Sequence, residues 1–516
     1  MRLFSPSAPP DYPVGVTVAE APGDDLGRQV VAGARWVLLL RLGSMGTIWV
    51  VSIALAHMLD RSEFGIASLA NTFLAILVVF QESGLGAALI HRAGRMQEAI
   101  DSAVVYAAAA CLALALVCLL AAPLAGSFFH HPVLTDLVRA IAVVFVFRGI
   151  STVPQAILQR ELRFRAWALL ILSGTLIQGV VAIAVAASGG GAWSLVAGTI
   201  ALEAWCALLA WPVAGIRADP RRASRKTLGE LLSYGRGVVG ANVSNSIYTY
   251  VDNIVVARTL GPAALGAYAI GYQMGKQPVL TFTTASNALV FPAFSKLRED
   301  LDRFRRAYLR SLRFITVVSA PIGFGLAAVS GTVVHVVYGE RWHTAGPVVA
   351  IVALMGLVLS VSATMGEVMK AAGHPNWLFA LAVAQTTMVT VAVILLYPHG
   401  ISAVAAGVAV PVTIIGVIAA YLTAKLLSIS RREWAATLLP AAVAGSLMAA
   451  ALAGTDHALR SVSPAARLVL EAVEGIVVYC VAFRIVAPAR FAEFVGELDR
   501  ISAFSALHLR VRRALT

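Results

Sequence analysis

Charged residues are scarce in this sequence. Asp, Glu, Lys and Arg together make up 13% of its 516 residues, whereas hydrophobic residues make up 59%. A soluble domain has about 25% charged and about 45–50% apolar residues. So few charges could not cover the surface of a soluble protein of this size, which excludes a soluble enzyme and a disordered chain. The composition predicts a helical protein that crosses a membrane several times.

Cysteine is also rare, and its positions exclude two further classes. Cys111, Cys118, Cys206 and Cys480 lie inside long apolar runs, with no CxxC pair and no histidine cluster nearby. A disulfide scaffold or a structural metal site needs paired or clustered ligands. We therefore expect four small packing residues, no disulfide and no metal.

The net charge of +13 does not come from a basic domain. A nucleic-acid-binding protein collects its Lys and Arg on a polar domain, whereas here they stand in short gaps between apolar runs. That distribution is typical of loops on the cytoplasmic side of a membrane. We therefore expect no nucleic-acid partner.

Apolar runs of about 20–25 residues, the length that spans a bilayer, alternate with short breaks from residue 34 to residue 488. Their continuity indicates helices rather than strands. The runs predict fourteen transmembrane helices in an all-α bundle. The expected organisation is a disordered tail (1–31), a six-helix lobe (32–216), a basic linker (217–233), a second six-helix lobe (234–427), two further helices (428–488) and an amphipathic basic segment (489–516).

Loop charges predict the orientation. With the N-terminus in the cytoplasm, the cytoplasmic breaks hold most of the arginines, for example the five cations of residues 217–226. Positive loops stay inside, so both termini are expected in the cytoplasm. The segment after residue 488 has apolar residues at helical spacing beside several arginines, which fits binding to anionic membrane lipids.

The sequence contains an internal repeat. A shift of 201 residues without gaps places the first helix on the seventh. The matched pairs are Arg35 with Arg236, Val50 with Val251, Ile53 with Ile254, Ala56 with Ala257, Leu59 with Leu260 and Gly65 with Gly266. Because the shift spans six helices, the two copies have the same topology. Parallel repeats of this kind are typical of alternating-access transporters, which bind their substrates between the halves.

Several diffuse motifs resemble a known family. They are YVDNIVVARTLG (250–261), LGAY (265–268) and FPAFS (291–295) in the second half, and AHMLDRSEFG (56–65) and SGLGAALI (83–90) in the first. Over roughly residues 30–430 the sequence resembles the O-antigen and exopolysaccharide repeat-unit flippases (Wzx type) of the MATE and lipid II flippase superfamily. The resemblance implies a V-shaped, two-lobed bundle whose helices one, two, seven and eight line a central cavity. It also implies the cargo, an oligosaccharide on an undecaprenyl pyrophosphate carrier, and a bacterial inner-membrane location.

Polar residues on those four helices are the candidates for the cavity wall. Helix seven carries Asn242, Asn245, Thr249 and Asp252 at steps of three, four and three, which places them on one face. Helix eight offers Tyr272, and helix two offers Asn71. The alternative is that such side chains only bond to neighbouring helices, for about 0.6 kcal/mol each.

Charged residues within the runs are stronger candidates. A cation at the centre of a membrane helix costs about 2.5–3.5 kcal/mol on insertion scales, which favours a functional role. Lys276, Arg41 and Arg148 are therefore predicted to bind substrate, with Lys276 and Arg41 clamping the pyrophosphate. Asp252 and Glu82 are candidates for a coupling proton or Na⁺, and no other cofactor is expected. Lys276 and Asp252 could instead neutralise each other.

Two other functions remain open. A multidrug or organic-cation exporter of the same superfamily would need an acidic cavity, whereas the predicted lining has mixed charge. A membrane glycosyltransferase or polymerase would need catalytic outer loops, but the breaks at 60–64, 189–192, 261–265 and 398–400 are bare turns. We therefore expect a transporter rather than an enzyme. The expected partners of this transporter are a lipid-linked oligosaccharide, membrane lipids and other polysaccharide-assembly proteins.

Overall fold

A computed structural model of the protein describes residues 23–81, 89, 96–297, 300–459 and 462–496. Within these ranges, the side chains of residues 23–35, 231–247 and 284–293 and of a few shorter stretches are not described. The described residues form helices and turns, without strands. This confirms the predicted all-α class.

Fifteen α-helices are described. They are α1 (Gly23–Met58), α2 (Arg61–Gln81), α3 (Met96–Phe129), α4 (Pro132–Arg160), α5 (Phe164–Ala187), α6 (Trp193–Ala214), α7 (Arg225–Thr259), α8 (Pro262–Leu297), α9 (Leu301–Ala328), α10 (Ser330–Tyr338), α11 (Gly346–Ala371), α12 (Pro375–Leu396), α13 (Ile401–Leu426), α14 (Arg431–Ala458) and α15 (Pro464–Val486). We refer to α1–α6 as the first half and α7–α13 as the second half.

Ten of the described helices are long and apolar enough to cross a membrane, namely α1, α2, α3, α5, α6, α9, α11, α12, α13 and α14. The other long helices are α4, α7, α8 and α15, which carry polar or charged residues along their length. The protein is therefore a multi-pass membrane protein. Three of these four helices include the predicted site residues Arg148, Asp252 and Lys276.

Helix α3 shows how the bundle faces lipid. Leu112, Leu116, Leu120 and Leu124 recur every four residues and are 55–70% exposed. The small side chains of Cys111 and Cys118 are buried on another face of the same helix. Exposed leucines at helical spacing and small residues at the helix contacts are the arrangement expected in a bilayer, where lipid is as apolar as leucine.

Two helices begin earlier in the chain than the sequence predicts. Helix α1 begins at Gly23, so residues 23–31 of the predicted tail are helical. Helix α7 begins at Arg225, so much of the predicted linker is helical too. Polar residues form helix readily when they extend an apolar helix, because adding a residue costs less than starting a new helix. The remainder of the tail, residues 1–22, lies outside the described residues.

Helix ends in the two halves follow the spacing of the sequence repeat. Helix α1 ends at Met58 and α7 at Thr259, 201 residues later. Helix α2 begins at Arg61 and α8 at Pro262, again 201 residues later. The α7–α8 turn contains Gly261 at φ +86°, a conformation that favours glycine.

Helices α14 and α15 pack on each other and on α9 of the second half. A capping box starts α14, in which Ser430 and Glu433 bond to each other's backbone N–H groups. After α15, residues 488–496 are again helical, and Phe491 and Phe494 pack against Phe483 and Phe314. The described start of the amphipathic segment thus lies on the bundle, and residues 497–516 are outside the described part.

Candidate functional site: a polar cavity between the two halves

A cavity of about 410 Å³ lies between the two halves. Helices α1, α2, α5 and α6 of the first half and α7 and α8 of the second half contribute to its wall. Its polar lining residues are Thr47, Ser52, Ser68, Asn71, Thr72, Thr175, Gln178, Tyr250, Asn253 and Gln273. The volume falls within the range of about 300–1,000 Å³ that is usual for ligand sites.

Carboxamides and hydroxyls give this cavity its chemistry. The Asn253 Nδ2 atom donates to Thr72 Oγ1 at 3.1 Å, and Thr72 in turn donates to the Ser68 carbonyl at 3.0 Å. This chain links α7 to α2 across the two halves. Carboxamides both donate and accept, so such a wall can bind groups rich in hydroxyls, and the lining residues described above carry no charge.

Asp252 lies on α7 behind this wall and is 2% exposed. Its carboxylate accepts from the Tyr268 hydroxyl at 2.7 Å and from the Asn253 N–H at 2.7 Å. Tyr268, Tyr272 and Lys276 are four residues apart on α8, so they share a face. The two tyrosine rings are 5.7 Å apart, and the Lys276 ammonium lies 5.1 Å from the centre of the Tyr272 ring. Among the described residues, Lys276 forms no ion pair with Asp252; a cation–π contact holds it instead.

Arg148 lies within the first half. Its Nε donates to Glu203 Oε1 at 2.8 Å, and its Nη1 donates to Gln81 Oε1 at 3.0 Å. Gln81 also donates to Thr152 at 2.7 Å. These bonds join α2, α4 and α6 and satisfy a guanidinium that would otherwise be costly within a membrane. Arg148 is not among the residues that line the cavity.

At one end of the cavity, α2 crosses α8 at two glycines. A Cβ atom on Gly65 would lie 1.8 Å from the Pro262 carbonyl oxygen, and one on Gly266 would lie 2.5 Å from the Arg61 carbonyl oxygen. Backbone is therefore in contact with backbone, and only glycine fits at either position. These are the two glycines that the sequence repeat pairs. We call this the Gly65 end.

A second contact between the halves closes the same end. The Arg341 guanidinium and the Trp342 indole N–H both donate to the Ala56 carbonyl, at 2.6 and 3.1 Å. This carbonyl belongs to the last turn of α1. Its usual helical donor would be the Asp60 N–H, which bonds to Glu63 Oε2 at 3.1 Å instead. The negative end of the α1 dipole also favours the Arg341 cation, and the buried Trp342 ring packs edge-on against Phe64 at 5.5 Å.

At the opposite end, Thr281 of α8 contacts Met45 of α1, with Oγ1 and Sδ 3.5 Å apart. We call this the Met45 end. Arg41 lies one helical turn beyond this contact and is exposed, whereas Lys276 lies on the cavity side of it. With a rise of about 1.5 Å per residue, the two cations differ in depth by about 13 Å.

The predicted site residues thus occupy different places. Asn71 lines the cavity, and Thr249 precedes the lining residue Tyr250. Asp252, Tyr272 and Lys276 lie behind the cavity wall, and Arg148 lies within the first half. The side chains of Asn242 and Asn245 and all of Glu82 lie outside the described residues. None of these placements tests substrate binding, so the assignments stay predictions.

The sequence interpretation missed the contributions of α5, namely Thr175 and Gln178, and Gln273 of α8. A signal existed for the first two. Thr175 and Gln178 are three residues apart in a mostly apolar helix, which places them on one face.

Comparison with known proteins gives the following relatives. A family profile described as "Polysaccharide biosynthesis protein" matches residues 54–347. The chain is 25% identical to the teichuronic acid biosynthesis protein TuaB of Bacillus subtilis over 68% of its length and 73% of that protein. It is 27% identical to the succinoglycan biosynthesis transport protein ExoT of Rhizobium meliloti, over 71% of its length and 74% of that protein.

Solved structures share the fold. The lipid II flippase MurJ in an inward closed conformation superposes with a TM-score of 0.70 at 15% identity, over 87% of this chain and 98% of that one. An inward-facing MATE multidrug transporter gives a TM-score of 0.59 at 15% identity, over 76% and 98%. The resemblance seen in the sequence motifs is confirmed.

Proposed function

Because the chain belongs to the family of polysaccharide biosynthesis proteins, we propose that it flips a lipid-linked oligosaccharide repeat unit across the bacterial inner membrane. The cargo carries an undecaprenyl pyrophosphate and moves from the cytoplasmic to the outer leaflet, for O-antigen, capsule or exopolysaccharide synthesis. The observation that supports this most is the cavity between the halves, whose wall is made of carboxamides and hydroxyls.

The wall matches a glycan better than a drug cation. Sugar hydroxyls both donate and accept, as do the side chains of Asn71, Gln178, Asn253 and Gln273. An organic cation would favour a carboxylate in the wall, whereas Asp252 is buried behind the wall with its oxygens bonded to Tyr268 and Asn253. The carrier's hydrocarbon tail stays in the bilayer, which costs no transfer of apolar surface into water.

The cargo crosses the membrane by alternating access. Contacts at the Gly65 end and at the Met45 end both join the first half to the second. Opening one end while the other stays closed exposes the cavity to one leaflet at a time. In the orientation that the loop charges predict, fourteen helices span the membrane, both termini are cytoplasmic and the Gly65 end faces outward.

Two cations at different depths suit a pyrophosphate that enters from the Met45 end. Arg41 is exposed there and meets the anion first, with a planar guanidinium that pairs well with phosphate. Lys276 lies deeper, beside Tyr272, and pairs with the pyrophosphate as the glycan enters the cavity. The two act in sequence rather than as one clamp, since their depths differ by about 13 Å.

Asp252 is the proposed binding group for a coupling proton or Na⁺. It is a carboxylate buried in the membrane region with polar rather than cationic partners, so binding a cation or proton removes its charge. Its contact with Asn253 reaches the cavity wall, since Asn253 also bonds to Thr72 of the other half. Occupancy of Asp252 can therefore alter a bond between the halves. No enzymatic step is part of this proposal.

Reconstitution tests the function. Proteoliposomes that contain an undecaprenyl-pyrophosphate-linked oligosaccharide in both leaflets should expose more than half of it to an added glycosidase only when the protein is present. Efflux of an organic-cation dye from the same vesicles should stay at the protein-free rate. Protein-dependent dye efflux without glycan flipping would identify a multidrug exporter, and transfer of sugar between lipid carriers would identify a glycosyltransferase.

A further inference from the structure

A second cavity, of about 330 Å³, lies away from the two halves' interface, between the start of α14 and the end of α15. Ala435, Ala436, Leu439 and Pro440 form one wall, and the chain from Val486 to Arg490 forms the other. Leu439 is 56% exposed and Val486 is 41% exposed. The site is thus an apolar groove on the outside of the bundle with one guanidinium at its edge.

Among the residues that the structure describes, cations outnumber carboxylates beside this groove. Among the described residues, Glu493 is the carboxylate beside both Arg313 and Arg490, and it pairs with Arg313 of α9. Among the described residues, Arg313 Nε and Arg490 Nη1 are buried and have no hydrogen-bond partner. Burial and then the Arg313 charge lower the pKa of Arg490, yet an arginine stays protonated in proteins. A guanidinium so placed is stabilised by an added anion.

Further arginines lie near the groove in the described part of the chain. Arg431 and Arg432 begin α14 one turn before the groove and are exposed, and Arg484 lies near the end of α15. Basic pockets between membrane helices bind the headgroups of anionic lipids. A phosphodiester offers oxygens that pair with the planar guanidinium, and an acyl chain covers exposed Leu439 and Val486.

We propose that the groove between α14 and α15 binds an anionic phospholipid of the surrounding membrane, with its phosphate on Arg490 and an acyl chain along Leu439 and Val486. The lipid supplies Arg490 with a negative charge in addition to the Glu493 carboxylate, which pairs with Arg313. It also braces α14 and α15 against α9, the helix of the second half that carries Arg313. This site is separate from the cavity between the halves, so it does not depend on the proposed cargo.

Native mass spectrometry of the purified full chain tests the site. Dipalmitoyl phosphatidylglycerol, an anionic lipid, should bind more tightly than dipalmitoyl phosphatidylcholine. Arg490→Gln should weaken phosphatidylglycerol binding about tenfold, as expected for the loss of hydrogen bonds to a charged group, and Arg490→Lys should retain part of it. Arg221→Gln, at an exposed arginine of the linker between the halves, is the matched control and should bind as the natural protein does.

A second variant keeps the test independent of the Arg490 charge. Leu439→Trp fills the groove from an exposed position, so it should fold and should also weaken phosphatidylglycerol binding. Equal affinity for the two lipids would overturn the proposal, as would unchanged binding in Leu439→Trp. Displacement of the lipid by millimolar inorganic phosphate would indicate a simple anion site, and tighter binding of undecaprenyl phosphate would indicate a site for the carrier; either result contradicts the proposal.

Discussion

Replacement of Gly65 by alanine should shift the protein away from the state in which the Gly65 end is closed. The added Cβ would lie 1.8 Å from the Pro262 carbonyl oxygen, whereas real Cβ atoms essentially never approach another heavy atom within 3.0 Å. The obstructing atom is backbone and cannot rotate away, so α2 and α8 must separate. Overpacking of this kind costs about 1–3 kcal/mol. The cost falls only on the closed arrangement, so the equilibrium should move about 5- to 150-fold toward opening.

Accessibility of the cavity measures this shift. A cysteine at Ala269, which lines the cavity, is introduced with Cys480→Ser, because Cys111, Cys118 and Cys206 are buried. An impermeant maleimide added outside should label it faster when Gly65→Ala is present. Gly46→Ala on α1 is the control, since a Cβ there meets nothing within 4 Å. Equal labelling rates in the Gly65→Ala and Gly46→Ala proteins would show that the crossing of α2 and α8 does not close the cavity.

Three further predictions concern topology and charge. Single cysteines at Ala223 and at Ala263 should label from opposite sides of intact cells, and labelling of both from outside would contradict the fourteen-helix topology. Asp252→Asn should fold but abolish the dependence of transport on the ion gradient, and unchanged gradient dependence would leave Asp252 only a structural role. Tyr268→Phe removes one of the two hydrogen-bond donors to the buried Asp252 carboxylate, so it should lower stability by about 1–3 kcal/mol. Lys276→Ala should lose most transport and Lys276→Arg should keep part of it, and recovery of transport in the double variant Lys276→Ala with Asp252→Ala would show that Lys276 only neutralises Asp252.

The helices and the all-α class could be predicted from the sequence because the backbone N–H and C=O groups of an apolar run in lipid must hydrogen-bond to each other. Even the pairing of Gly65 with Gly266 was visible as a shift of 201 residues. Their direct contact was not, because the shift relates equivalent positions and does not say which pairs meet. The helix starts at Gly23 and Arg225 were also missed, since polar residues that extend a helix carry no apolar signal.

Partners of buried charges could not be predicted from periodicity. Arg148 and Glu203 are 55 residues apart and meet only because α4 packs against α6. The cost of a charge in lipid favoured a substrate-binding role for Arg148, but in the structure Arg148 bonds to Glu203 and Gln81 of the same half and does not line the cavity. The cavity wall itself is made of side chains such as Gln178 and Gln273, whose lack of charge made them inconspicuous.

Cross-linking of the Met45 end tests most directly whether cargo passes between the halves. Met45→Cys and Thr281→Cys place two thiols where the present side chains are 3.5 Å apart, in a Cys480→Ser background. In proteoliposomes, oxidation of the double variant should stop flipping of the undecaprenyl-pyrophosphate-linked oligosaccharide, reduction should restore it, and each single variant should be insensitive to oxidant. Undiminished flipping by fully cross-linked protein would contradict passage of the cargo through the cavity between the halves.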